Sequence, residues 1–426
     1  MKIIENPLLE SLPTLLQRPS MNHAALYTVV QDVLDAVKKE GDKAVAAYTQ
    51  KFDGVTMDHA IVSEAVINEA VLDLAPALKE AVQLAAKNIR CFHEAQVNGP
   101  VSIETMPGVR CWRKSVGIDK VGLYIPGGSA PLFSTVLMLG IPAVIAGCKE
   151  IILCTPPSKD GSVHPAILYA ASVVGIKRIY KIGGVQAIAA MAYGTETVPQ
   201  VYKIFGPGNQ YVTAAKQLVQ ESGVAIDMPA GPSEVCVLAD ESCNPAFVAS
   251  DLLSQAEHGP DSQVLLVSTS RRVVDQINDA LASQLAVLPR KDVAQQALEN
   301  SKAIVVGSME QAIFIVNSYA AEHLIIACKN DEAVAEQITN AGSVFLGNYS
   351  PESVGDYASG TNHTLPTSGY ARAYSGVSVD SFVKKITYQK LTPAGLQAIG
   401  AAVETMAAAE GLEAHKNAIT IRLQTL

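Results

Sequence analysis

The sequence predicts an α/β protein: two Rossmann-like parallel-sheet units with a helical N-terminal arm and a helical C-terminal segment. Three observations carry that reading. From Val116 onward, short β-like runs alternate with glycine- or proline-bearing turns and helical stretches, the signature of a mostly parallel sheet with right-handed crossovers. The alternation occurs as two successive series, the second beginning after Gly231. The segments outside them place apolar residues at threes and fours, as amphipathic helices do.

Near the N-terminus, "HAALYTVVQDVLDAVKKEGDKAVAAYTQKFDG" reads as two helices, each stopped by a glycine. Residues 55–63 are ambiguous, and "INEAVLDLAPALKEAVQLAAKNIRCFHEAQ" reads as a long helix bent at Pro76. The first series supplies "KVGLYIPGG", "EIILCTPP", "RIYKIGG" and "VYKIFGPGN". The second supplies "EVCVLAD", a helix from Asn244, "SQVLLVST", "SKAIVVG", "HLIIAC" and "AGSVFLG". The end of the chain, "TPAGLQAIGAAVETMAAAEGLEAHKNAITIRL", returns to helix. The expected division is an arm at 1–25, a first α/β unit from 26–120 with 232–375, a second at 121–231, and a helical segment at 376–426. Residues 350–378 carry many Gly, Ser, Thr and Tyr and little apolar periodicity. A loop of that length inside a compact enzyme is expected to be ordered and functional.

At 426 residues the chain needs more than one small core, and 49% hydrophobic against 17% charged residues describes a packed globular protein. A net charge of −9 without a basic cluster argues against nucleic acid as a partner. The N-terminus lacks the apolar core of a signal peptide, and "VLMLGIPAVIAGC" is interrupted by Gly140 and Pro142, short of the roughly 18–20 residues a membrane span needs. A soluble, cytoplasmic protein with no membrane partner is expected. The seven cysteines form no CxxC pair, and their odd number argues against a disulfide framework. Cys148 and Cys154 sit in apolar runs with no adjacent base, which disfavours a nucleophilic thiolate.

Candidate chemistry gathers at a few places. In "NPAFVASDLLSQAEHGP", Gln255 and His258 project from one last helical turn beside an apolar stripe, where polar groups must be paired or coordinate something. A metal and a helix C-terminus capped by its own histidine both satisfy that pattern. Glu322 and His323 stand where a helix gives way to a strand; they suit proton transfer, or a local surface pair. Asp356 and His363 lie in the long loop, and Glu410 and His415 near the end. For His23, His59, His93 and His164 a solvated surface position is expected. The turns "YIPGGSAP", "IGGVQAIAA" and "FGPGNQYVTAAK" each join a strand to a helix, where backbone N–H groups could face a dinucleotide; tight connections in any parallel sheet look the same.

Together, "GLYIPGG", "GGVQAIAA", "FGPGN", "DMPAGPSE", "DLLSQAEHGPDSQ", "AAEHL" and "TNHTLPT" closely resemble the L-histidinol dehydrogenase family over nearly the whole chain. The resemblance implies oxidation of L-histidinol to L-histidine through L-histidinaldehyde, with NAD+ as acceptor and one Zn2+ per subunit. It implies zinc ligands Gln255, His258 and Asp356, with His415 donated in trans within a homodimer. Glu322 and His323 become the proton-transfer pair. Substrate contacts become Ser233, His363 and Glu410, with His323 and the zinc ligands, and dinucleotide contacts become Tyr124, Gln186 and Asn209 on the 121–231 unit. A zinc hydrolase, with Glu322 activating water, would leave the glycine turns idle. A binding protein would make Glu322 and His323 dispensable.

Overall fold

The computed structural model describes the chain apart from residues 19–22, 58 and 128–130, and apart from the side chains of 23–25. The Gly128 end of the "YIPGGSAP" turn and the side chain of His23 lie outside the described residues.

The chain opens on a strand, β1 (Lys2–Glu5), and one helical turn, α1 (Leu12–Leu15). The arm is therefore not wholly helical as expected. Four helices follow: α2 (His23–Glu40), α3 (Asp42–Asp53), α4 (Glu64–Asp73) and α5 (Pro76–Glu94). The helix expected to bend at Pro76 is two helices. Leu74 and Ala75 are extended, as residues ahead of a proline tend to be, and Pro76 occupies the first turn of α5, where no backbone donor is required.

After a hairpin of β2 (Val101–Met106) and β3 (Val109–Gly117), the first series forms β4 (Lys120–Tyr124), α6 (Phe133–Ile145), β5 (Glu150–Cys154), α7 (Pro165–Val174), β6 (Arg178–Tyr180), α8 (Gly184–Tyr193), β7 (Lys203–Phe205), α9 (Gln210–Val219) and β8 (Ala225–Ile226). These five strands are parallel in the order β6-β5-β4-β7-β8. One face is covered by α2, α3, α8 and α9, the other by α4, α5, α6 and α7. Residues 26–94 thus pack on the 121–231 sheet, not with 232–375 as the expected division has it. Periodicity marks the buried face of a helix but not which sheet buries it.

The second series forms β9 (Glu234–Ala239), α10 (Pro245–Ala256), β10 (Gln263–Ser268), α11 (Arg271–Leu285), α12 (Lys291–Glu299), β11 (Lys302–Val305), α13 (Met309–Tyr319), β12 (His323–Ala327), α14 (Asp331–Ala335) and β13 (Ser343–Leu346). With β1 on the edge, six parallel strands run β1-β11-β10-β9-β12-β13. Helices α10 to α12 cover one face; α13 and α14 lie on the other. Strand order reverses between β4 and β7 in one sheet and between β9 and β12 in the other, the places where open α/β sheets leave a crevice.

The 350–378 segment is ordered and joins the two units. It contains α15 (Glu352–Tyr357); beyond it the Asn362 amide donates to the Met138 carbonyl on α6 at 2.6 Å, and Asn88 on α5 donates to the Ala358 carbonyl at 2.9 Å. The final segment is not helical throughout. It begins with β14 (Val383–Leu391), which completes a three-stranded antiparallel sheet ordered β14-β3-β2, before α16 (Pro393–Ala409) and α17 (Glu413–Leu423) form a hairpin. Among the described residues no helix is long and apolar enough to cross a membrane.

Candidate active site and metal centre

Helix α10 starts where the Asn244 side chain accepts from the Ala246 N–H at 3.0 Å and Pro245 takes the first turn; it ends at Ala256. Gln255 is 1% exposed, and neither its amide nitrogen nor its carbonyl oxygen has a hydrogen-bond partner. An unsatisfied buried amide costs about 1–3 kcal/mol, so a missing partner is indicated. His258 lies just past the helix end and is exposed.

The long loop brings the complement. On α15, Glu352 and Asp356 are one turn apart and share a face. One ligand atom each from His258, Glu352 and Asp356 lie within 4.8 Å of one another. Glu352 is 1% exposed, and its Oε2 has no partner. An imidazole, carboxylates and an unpaired amide form a donor set that suits a borderline divalent cation such as Zn2+. Sequence reasoning missed Glu352. Its spacing of four from Asp356 was the available signal, hidden because 350–378 reads as loop.

Beside this cluster stand Glu322 and His323, both nearly buried, at the start of β12. His323 Nδ1 is 3.1 Å from the Glu234 carbonyl, and Glu322 Oε2 accepts from the Glu234 N–H at 2.9 Å. The pair is itself close, His323 Nδ1 lying 3.7 Å from Glu322 Oε2. His323 Nε2 has no hydrogen-bond partner and lies 3.5 Å from Asp356 Oδ1. With Nδ1 facing a carbonyl, the proton of a neutral ring sits on Nδ1 and the Nε2 lone pair is free for a base's work. These groups mark the amino end of β12, whereas ligands in open α/β sheets usually sit at carboxyl ends.

Charge sets the protonation of the corner. Burial pushes the Glu322 carboxyl up to about 8, and it raises Glu352 in the same direction, aided by Asp356 and Glu322. Burial opposes charge on His323, but Glu352, Glu322 and Asp356 outweigh it and hold the ring well above its usual value. Burial likewise opposes charge on Asp356, and the neighbouring His323 outweighs it, keeping Asp356 below its usual range. On α10, burial raises Asp251 to about 7.

A pH prediction follows for the cation-free protein. A group raised on folding contributes stability below its unfolded value and loses it as pH rises through the folded value. Asp251, Glu322, Glu352 and His323 are all raised. Burial lowers His93, His258 and His363, which oppose the trend only below their unfolded value. The cation-free midpoint of thermal unfolding should therefore fall between about pH 6.5 and pH 8. Asp251→Asn should flatten that fall. A midpoint that holds level or climbs over this window would contradict the burial ascribed to these groups.

The remaining expected substrate residues divide into two sets. His363 Nδ1 is 2.9 Å from the Asp356 carbonyl, its Nε2 is 3.0 Å from the Thr135 hydroxyl on α6, and burial lowers its pKa. Ser233 lies one residue before Glu234, its carbonyl accepting from Gln263 at 3.1 Å. Glu410 and His415 are not brought to the cluster within one chain. They are exposed on the α16–α17 hairpin, which packs on itself and β14. His93, expected at the surface, is fully buried, with Nδ1 2.8 Å from the Ile89 carbonyl.

Two of the dinucleotide candidates, Tyr124 and Asn209, flank the β4/β7 crevice. The Tyr124 hydroxyl, at the carboxyl end of β4, accepts from Gly184 N–H at 3.1 Å, and burial raises its pKa to about 12. Gln186 is fully buried with an unpartnered carbonyl oxygen. Asn209 caps α9, accepting from Tyr211 and Val212 N–H groups. Between them Gly206 has φ 131°, and a Cβ there would lie 2.0 Å from the Tyr124 carbonyl oxygen, so only glycine fits. The thiols stand apart: burial raises Cys148 to about 11 and Cys154 further, neither being a ready thiolate.

The chain is similar to known proteins along nearly its whole length. The family model described as histidinol dehydrogenase matches residues 16–423. The histidinol dehydrogenase of Bacteroides thetaiotaomicron is 59% identical over the full length of both chains. That of Aliivibrio fischeri is 55% identical over 97% of this chain and 94% of its own. The crystal structure of histidinol dehydrogenase from Elizabethkingia anophelis has a TM-score of 0.98 and 56% identity, covering 100% of this chain and 98% of that one. The chain belongs to the histidinol dehydrogenase family of oxidoreductases.

Proposed function

We propose that this protein oxidises L-histidinol to L-histidine through L-histidinaldehyde in two hydride transfers to NAD+, at the end of histidine biosynthesis in the cytoplasm. One Zn2+ per subunit is held by Gln255, His258 and Asp356 with His415 of the partner subunit, and Glu352 flanks the cluster. The observation that carries the reading is the gathering of His258, Glu352 and Asp356 ligand atoms within 4.8 Å, with the buried, unpartnered amide of Gln255 three residues before His258 and the His323 Nε2 3.5 Å from Asp356.

When bound, the cation supplies positive charge that holds the substrate's nitrogen donors and offsets the carboxylates around His323, and the dinucleotide supplies the hydride acceptor. The chain's own groups do the rest. His323 Nε2 takes the hydroxyl proton in the first oxidation, while Glu234 holds the opposite ring nitrogen. Glu322 takes a proton from the water that hydrates the aldehyde: burial raises its carboxyl to about 8, so its ionised form is the minority near neutrality and the more basic for it. The hydrate again carries a C–H hydride and an O–H proton, so the same corner serves the second oxidation. His363, Ser233 and Glu410 of the partner subunit bind and orient the substrate, and Tyr124, Gln186 and Asn209 line the dinucleotide side. Exposed Met406, Leu412 and Ile421 on the α16–α17 hairpin support a homodimer in which this hairpin reaches the neighbouring subunit.

Following NADH absorbance with histidinol before chelation, after chelation and after zinc is restored tests the reading. Activity should vanish and return; histidinol-independent or chelator-insensitive behaviour contradicts it. Glu322→Gln should slow aldehyde oxidation by about 10²–10⁴-fold with little change in KM. Unchanged aldehyde turnover removes Glu322 from that role.

A further inference from the structure

Glu234, the first residue of β9, is tied to both members of the proton-transfer pair through its backbone: its N–H donates to Glu322 and its carbonyl faces His323 Nδ1. The parallel ladder of β9 with β12 begins only at Val235 opposite His323, so Glu234 lies at the ladder's end. Its peptide groups there are met by the two side chains. On its other side Glu234 pairs with Gln263 of β10, and its side chain is gripped as well.

Arg18, from the N-terminal arm, supplies that grip from two directions. Its Nε and Nη2 donate to the two oxygens of the buried Glu234 carboxylate at 2.5 and 2.8 Å, a bidentate pair, while Ser368 N–H donates to Oε1 at 3.0 Å. The same guanidinium donates through Nη2 to the Tyr319 carbonyl at 2.9 Å and lies 4.0 Å from the centroid of the Tyr319 ring. Tyr319 ends α13. After it, Ala320 turns at φ 55°, a left-handed conformation that disfavours alanine, and delivers the chain to Glu322 and His323. Arg18 therefore grips both the strand that orients the pair and the strained turn that presents it.

We propose that Arg18 is a positioning residue for the reaction: by clamping Glu234 to the α13–β12 turn, it fixes the His323 ring with Nδ1–H toward the Glu234 carbonyl and Nε2 toward the substrate. This rests on the function proposed above. Arg18 touches no reacting atom; it acts through Glu234 and Tyr319. Lysine cannot reproduce the fork that spans both carboxylate oxygens and the carbonyl, so Arg18→Lys should retain the charge but only part of the clamp.

The test combines steady-state kinetics with a readout independent of turnover. Arg18→Met and Arg18→Lys are compared with the unaltered protein for kcat and KM with histidinol, for zinc content and for unfolding midpoint. In parallel, ring 15N–1H spectra of 15N-histidine-labelled protein follow His323, assigned by its loss in His323→Asn. The expected result is a kcat lowered tenfold or more in Arg18→Met and less in Arg18→Lys. KM and zinc content should stay within twofold, and the His323 Nδ1–H signal should weaken or broaden in the same order. A folded Arg18→Met with undiminished kcat and an unchanged His323 signal overturns the proposal. If Arg18→Met does not fold, Arg18→Lys decides by the same two readouts. If the unaltered protein does not oxidise histidinol, the functional reading fails, and the His323 spectrum still decides whether Arg18 sets the ring.

Discussion

Replacing His323 by Asn should lower kcat for histidinol oxidation by about 10²–10⁴-fold while leaving KM nearly unchanged. Asparagine can still donate to the Glu234 carbonyl, so the change removes the base with less disturbance of its setting than alanine would cause. The effect should be as large on aldehyde oxidation, because both oxidations draw a hydroxyl proton toward the same Nε2. A split result would be informative. Loss of alcohol oxidation alone would confine His323 to the first step and leave the second to Glu322. Steady-state assays with histidinol and with the aldehyde, each supplied separately, measure this. A variant within twofold of the unaltered enzyme on both substrates would remove His323 from the chemistry.

Asp356→Asn should empty the metal centre. Asp356 is the carboxylate held ionised by its neighbours, with Glu352 beside it pushed toward its neutral form. Removing that charge leaves two neutral side chains and one reluctant carboxyl against a dication within the subunit. Zinc affinity should fall beyond the roughly 10–100-fold that loss of a merely supporting partner causes, and activity should fall with it. Elemental analysis of the purified variant and activity at rising zinc concentration check this. Full zinc content would shift the anchoring role to Glu352, whose parallel substitution Glu352→Gln should be the milder of the two.

Much of this corner was legible in the chain because it is local. Gln255 and His258 are three apart across the end of one helix, and Glu322 and His323 are adjacent where α13 gives way to β12. Helical geometry and chain order place such groups together without reference to a fold. Asp356 and His363 stood out only as polar residues of the long loop, and their roles came through the resemblance, since nothing in a loop's sequence says which strand ends it meets. Glu352 was missed for that reason, and Arg18 because its partner Glu234 is more than two hundred residues away.

The two sheets were legible from their alternation, yet three placements were not. β1 is four residues long and gains its identity from pairing with β11. β14, "VKKITYQKL", is exposed and mostly polar, so its register comes from β3 and not from a buried face. The stripes on α2 to α5 show what is buried but not against which sheet. In each case the deciding contact lies outside the window that local pattern can see.

Anomalous X-ray scattering at the zinc edge, from crystals of the protein grown with stoichiometric zinc, tests the central claim most directly. A single strong peak per subunit should lie about 2.0–2.2 Å from a His258 ring nitrogen and an Asp356 carboxylate oxygen, with the Gln255 carbonyl turned toward it. A fully active crystal form whose zinc lies elsewhere, with the Gln255 amide still unpartnered, would contradict it.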